Sequence, residues 1–190
     1  QNDIIHNILN GKIHSMGELQ KNTSLLGVDI NGSYRVIVFG MTNESMARGD
    51  FKAKVKDIDV LSDLIRSRIS KAKIHNDLDK IVVIQEVERE QTQEEYRKSI
   101  KKIAEQVQAD VARYNKYLKI KAGAGRVVDG IINLPESFKE ANEAFMFVDV
   151  AGETPEDGGP QVMLFADLGI FKLLCQLSDP SMLLEYVPEG

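Results

Sequence analysis

Two short runs, Tyr34-Arg35-Val36-Ile37-Val38-Phe39 and Ile81-Val82-Val83-Ile84, constrain this chain more than any other feature. Both are nearly continuous in apolar residues, mostly β-branched. That composition reads as a strand covered on both faces, with a sheet edge elsewhere. Apolar cover must therefore come from the segments between them.

Helical periodicity supplies it. Ile4, Ile5, Ile8 and Leu9, then Met16, Leu19, Leu25 and Leu26 after a break at Asn10-Gly11, predict two short helices. Met41 to Lys56 reads as a loop. Behind a cap at Asp59, Leu61, Leu64, Ile65, Ile69 and Ala72 fall at helical spacing. The stretch His75-Asn76-Asp77-Leu78-Asp79 has turn chemistry and predicts a hairpin or sharp entry into the second buried strand. Glu94 to Asn115 lacks Gly and Pro and lines up Tyr96, Ile100, Ile103, Ala104, Val107, Val111 and Tyr114 on one helical stripe, acidic residues leading and basic ones following.

Further on, Leu118, Ile120 and Ala122 alternate with Tyr117, Lys119 and Lys121, the pattern of a strand with one buried face. Asn133 and Glu136 are placed to cap a helix from Pro135 to Phe147 that buries Phe138, Ala141 and Phe145. A Gly- and Pro-rich loop at 151–160 leads to a strand at Gln161–Phe165, and Leu168 to Leu184 reads as helical with a break near Ser178–Ser181. The order α, α, β, α, β, α, β, α, β, α gives an α/β (α+β) chain, an open sheet packed against helices, parallel or mixed. Val36, Val38, Ile81, Val83, Ile120 and Phe138 are the expected core.

Composition excludes several functions. Lys+Arg 24 against Asp+Glu 29 leaves a net charge of -5, which offers no electrostatic footprint for direct nucleic-acid binding. The basic helix face Arg97, Lys98, Lys101 and Lys102 has no interleaved aromatics and reads as solvated. Cys175 is the one cysteine and lies in an apolar run, so it reads as a small core residue in a reducing, cytoplasmic setting. No run is long enough to span a bilayer, and membrane association is not expected. The polar start without Met and the turn-like end Tyr186–Gly190 read as a segment of something longer.

Candidates for chemistry are few. Gly123, Gly125 and Arg126 could cradle and clamp an anion, but the spacing matches neither a dinucleotide loop nor a Walker loop. The alternative is a strand end where another backbone passes closely. His6, His14 and His75 lie far apart without ligand spacing, so no metal site is expected. His75 with Asn76, Asp77 and Asp79 could form an acid-base or metal cluster, or simply a solvated turn. Ser137 lacks a nucleophile elbow and reads as a first-turn helix residue.

Three strings, Gly123-Ala124-Gly125-Arg126, Leu134-Pro135-Glu136-Ser137-Phe138-Lys139-Glu140-Ala141 and Phe165-Ala166-Asp167-Leu168-Gly169-Ile170-Phe171-Lys172-Leu173-Leu174, resemble in order and spacing the central domain of PucR/CdaR-type transcriptional regulators. Ile8-Leu9-Asn10-Gly11 and Leu26-Gly27-Val28-Asp29 extend the resemblance over nearly the whole chain. It implies a degenerate GGDEF-like sheet, of the nucleotide cyclase/ferredoxin-like kind, with flanking helices. It also implies an upstream sensory domain and a downstream helix-turn-helix domain in the full-length chain.

On that reading residues 1–30 form an N-terminal helical annex, 31–170 the GGDEF-like domain and 171–190 a helical linker toward the DNA reader. Laid on the cyclase pattern, the signature falls on Asn76-Asp77-Leu78-Asp79-Lys80, which lacks the paired glycines and the acidic third residue; Tyr34 to Thr42 has no Asp or Glu. The expectation is a non-catalytic, homodimeric regulatory domain without cofactor or metal. The alternative places an effector or nucleotide at Gly123, Gly125, Arg126 and the hairpin residues Asn76, Asp77 and Asp79. Apolar helices 4–26 and 168–184 are the expected surfaces for a second subunit or neighbouring domain.

Overall fold

The computed structural model describes residues 2–43, 51–88, 91–151 and 155–177. Its elements are α1 (Asn2–Leu9), α2 (Met16–Leu26), β1 (Ser33–Asn43), α3 (Phe51–Arg68), β2 (Ala72–Asp77), β3 (Lys80–Val87), α4 (Gln93–Tyr114), β4 (Leu118–Ala124), β5 (Val128–Asp129), α5 (Leu134–Ala151), β6 (Gln161–Leu164) and α6 (Phe165–Leu177). The sheet is mixed. Its order is β2-β3-β1-β4-β6, antiparallel except for the parallel pair β4–β6, and β5 returns to pair with the start of β1.

The two apolar runs are β1 and β3, side by side at the centre, and both faces of each are used. Ile37 and Phe39 of β1, with Ile81 and Val83 of β3, join Leu61 and Ile65 of α3 and Ile100, Val107 and Val111 of α4 in one core. Tyr34, Val36 and Val38, with Val82 and Ile84, face the other way into Ile5, Ile8 and Leu9 of α1, Leu19 and Leu26 of α2, and Leu134 and Ala141 of α5. Alternation within a continuous apolar run is what two helical layers require. α1 and α2 therefore contribute to the core, and the apolar residues expected to meet a second subunit are largely spent on the sheet; Met16 and Leu25 stay exposed.

Several local expectations are corrected. α3 begins at Phe51, within the expected loop, and Asp59 is an exposed mid-helix residue, because Ile58 already starts the buried stripe that Leu61 and Ile65 continue. Ala72 and His75–Asp77 form the edge strand β2; it buries only Ile74, too faint a signal to read as a strand. The tight turn itself is Leu78-Asp79, with Leu78 at φ 54°. Tyr114 leaves the α4 stripe, is exposed, and donates to Asp57 Oδ1 at 3.2 Å.

Asn133 does not cap: it ends a 3-10 turn (Ile131–Asn133) and donates from its side chain to the Asp129 carbonyl at 2.7 Å. Phe165 is the first residue of α6 rather than the last of a strand. The Cys175 side chain and the expected break at Ser178–Ser181 lie outside the described residues, as does the part of the expected loop at 44–50.

Val36, Val38, Ile81, Val83 and Ile120 are fully buried as expected, whereas Phe138 and Phe145 are only half-buried. The sheet-facing stripe of α5 is instead Leu134, Ser137, Ala141, Ala144 and Val148, mostly small. Gly123 explains why. A methyl group there would lie 2.3 Å from the Phe145 backbone nitrogen and 2.6 Å from the Ala141 carbonyl oxygen. At Gly125 it would meet the Ser137 carbonyl oxygen at 2.1 Å. The helix backbone rests directly on the strand backbone, and larger residues are displaced to its flanks.

Gly123→Ala is expected to lower unfolding free energy by about 1–3 kcal/mol, the usual cost of overpacking. Gly169→Ala, in α6 with nothing within 4 Å of the added carbon, is expected to raise it by about 0.5–1 kcal/mol. Urea denaturation of both variants checks the contrast.

Candidate functional site

The six residues singled out for ligand binding divide between two places. Gly125 meets β1 at Val36, whose carbonyl accepts its N–H at 3.0 Å. Asn76, Asp77 and Asp79 sit on the β2–β3 hairpin, on the other side of β1, where Lys80 pairs with Asp77 and Ile81 pairs with Phe39. Val36 to Phe39 alone spans roughly 10 Å of strand. Gly123 lies nearer the hairpin, opposite Val38, so β1 and β3 stand between the two groups. Concavities of about 400 and 570 Å³ lie elsewhere, lined by none of the six.

At the β4 exit the side chains hold one another. Arg126 donates from its backbone N–H to Glu140 Oε2 at 2.9 Å and from Nη2 to Oε1 at 2.7 Å, and its guanidinium lies 5.2 Å from the Phe165 ring centre. Those hydrogen bonds raise the Arg126 pKa. Ser137 accepts from the Val36 N–H at 3.0 Å and donates to the Arg126 carbonyl at 2.7 Å. It is a first-turn residue of α5, as expected, and a fully buried clasp between α5, β1 and the β4 exit. Arg97, read from sequence as part of a solvated face, is paired in bidentate fashion with Asp167 of α6; Lys98, Lys101 and Lys102 are exposed.

The residue that sequence reasoning passed over is Arg35, 1% exposed near the start of β1. Its Nε donates to Gln85 Oε1 at 2.8 Å, its Nη2 to Ser99 Oγ at 3.0 Å, and its guanidinium carbon lies 4.7 Å from the Tyr96 ring centre. Nη1 is buried with no acceptor among the described residues. Burial lowers the Arg35 pKa, yet a guanidinium stays charged at neutrality. The signal was available: one charged residue inside a run that both helical layers must cover.

Tyr96, beneath Arg35, donates its hydroxyl to the Gly125 carbonyl, which β4 leaves free as it departs from β1. Burial pushes Tyr96 up to about 12, offset in part by the Arg35 charge. Tyr34, whose hydroxyl bonds the Asp29 carbonyl, is likewise pushed by burial to about 12.

The hairpin end is built differently. Asn76, Asp77, Leu78 and Asp79 are exposed, Leu78 by 94%. Beside them β1 carries Gly40, where an added methyl would lie 2.6 Å from Phe145 Cζ, and Lys80 Nζ sits 5.3 Å from that ring's centre. An aromatic side chain of α5 thus covers the end of β1 next to the hairpin. β1 contains no Asp or Glu from Ser33 to Asn43. Among the described residues, no group of three or more His, Cys, Asp or Glu side chains is placed to hold a metal ion, and no helix is long and apolar enough to cross a membrane.

Tyr34 and Tyr96 are protonated in the folded chain up to about 12, against 10.0 for an ordinary tyrosine. An acid whose folded pKa is raised stabilises the fold fully below the unfolded value and loses that contribution as pH rises toward the folded one. Unfolding free energy is therefore expected to fall between 10 and about 12, and less so in Tyr96→Phe. Tyrosinate absorbance and urea midpoints across that range check it.

Comparison with known proteins places this arrangement. No curated protein matches the chain. Residues 10–146 match the model of the GGDEF-like domain family, covering the sheet from β1 through β4 and β5 and most of α5. The chain belongs to the GGDEF-like domain family.

Proposed function

We propose that this chain is a non-catalytic regulatory domain of a PucR/CdaR-type transcriptional regulator, relaying a signal between an upstream sensory domain and a downstream helix-turn-helix domain. The observation that carries the non-catalytic reading is the end of β1 beside the hairpin. Phosphoryl transfer between nucleotides needs carboxylates that hold divalent ions against the phosphates. Here the strand offers none, and Gly40 is covered by Phe145. The hairpin presents Asp77 and Asp79 to solvent on either side of Leu78, where the cyclase signature has its acidic third residue.

The strings that resemble the regulator family carry structural weight in this fold. Gly123 and Gly125 seat α5, Ser137 clasps β1, and Asp167 ties α6 to Arg97 of α4. Such a motif set preserves the mutual placement of β4, α5 and α6, which suits a domain that transmits position rather than turns over substrate. Incubation of the protein with GTP and Mg²⁺ or Mn²⁺ is expected to yield neither cyclic dinucleotide nor hydrolysis product. Turnover abolished by substitution of Asp77 or Asp79 would overturn this reading, and so would a natural gene that encodes no DNA-binding domain.

Self-association belongs to the same proposal. Met146 and Val150 on α5 and Ile170 and Leu173 on α6 are exposed apolar residues on two helices that pack together. Exposed apolar residues on two packed helices suit a homodimer contact. Light scattering across a concentration series is expected to show a dimer that Ile170→Glu with Met146→Glu converts to monomer. A monomeric parent chain would remove the dimer from the proposal.

A further inference from the structure

Two of the three histidines, sixty-nine positions apart in the chain, meet in the fold. The ring centres of His6 on α1 and His75 on β2 are 5.9 Å apart, with their planes inclined at 52°. His75 points to the α1 side of the sheet, its neighbour Ile74 to the other core. Its Nδ1 is buried and has no hydrogen-bond partner among the described residues. The His6 ring lies 3.4 Å from the Asn10 side-chain amide, a donor that suits an unprotonated Nδ1.

α1 has modest means of staying in place. It is eight residues long, and its hold on the domain is the burial of Ile5, Ile8 and Leu9 together with this imidazole contact at the sheet edge. A helix so short has no stability of its own and depends on what it packs against. Anything that puts charge into its contact with β2 acts on that dependence directly.

We propose that the His6–His75 pair is an acid-released latch: neutral, it lets α1 close over the sheet edge; protonated, it opens the α1–β2 contact and uncovers the apolar face beneath. The charges acting on His75 are Asp77, on its own strand, and His6, on α1; its partner on β3 is the uncharged Val82. Burial lowers the His75 imidazole below its ordinary 6.5, Asp77 offsets part of that shift, and a charge on His6 adds to it. A base with a depressed folded pKa contributes stability that is complete above 6.5 and lost as pH falls below it. The latch closes near neutrality and opens on acidification.

Hydrogen exchange of the α1 amides, corrected for the intrinsic rate and referenced to α4, tests it. Between about pH 7.5 and about pH 5.5, α1 protection is expected to drop measurably, by at most about tenfold, while α4 holds, and His75→Gln should abolish the drop. Equal loss in parent and His75→Gln, or no loss in the parent, overturns the latch. Should His75→Gln fail to fold, the exposed His6→Gln supplies the test. Its removal is expected to raise the NMR titration midpoint of His75, and an unmoved midpoint refutes the coupling.

Discussion

The seat of α5 on β4 is the contact on which the rest depends. With no side chain at Gly123 or Gly125, helix and strand backbones touch, and the facing stripe on α5 is reduced to Ser137, Ala141 and Ala144. That approach decides where everything on α5 arrives. Ser137 reaches the Val36 N–H, Glu140 reaches Arg126, and Phe145 reaches across to Gly40. A wider separation would break all three at once, because close-packed backbones shift as units rather than atom by atom.

The departure of β4 from β1 after Ala124 creates a second constraint. The β1 backbone at Val36 and Arg35 lies between the end of β4 and the start of β5, and its polar groups still need partners. Gly125 and Ser137 answer Val36 from one side, while Tyr96 of α4 takes the Gly125 carbonyl from the other. Arg35 lies in this junction, shared among Gln85, Ser99 and the Tyr96 ring. A buried charge carries a desolvation cost, which neutral dipoles and an aromatic face offset in part here. It joins β1, β3 and α4 at the place where the sheet would otherwise fray.

Scaffold and chemistry are therefore separable in this domain. The central sheet, the hairpin and the helical layers are those of a GGDEF-like domain, and beside the hairpin β1 carries a glycine under phenylalanine. A fold can host a function or lose it through a handful of side chains, because the core that sets its shape lies in different residues from those that hold ions. The proposed regulatory reading and the proposed latch on α1 both draw on surfaces and edges of the sheet, and neither asks anything of the hairpin.

How much was legible follows from how each element is encoded. β1, β3 and α4 were plain from their residues, since continuous apolar runs and a long uninterrupted stripe admit few other structures. β2 was not, because an edge strand with one buried residue carries almost no periodic signal. Of the candidate site residues, the glycines were correctly suspected of a close backbone approach, while the hairpin residues and Arg126 lie on opposite sides of β1, a placement set by strand order. The buried Arg35 and the His6–His75 contact needed pairings across 50 and 69 positions respectively, which no local pattern encodes. Local sequence determined the kinds of element and which faces must be buried, because those depend on side-chain period and size. Only the tertiary structure decided which polar groups would meet, because that depends on strand order and on how closely α5 could lie upon β4.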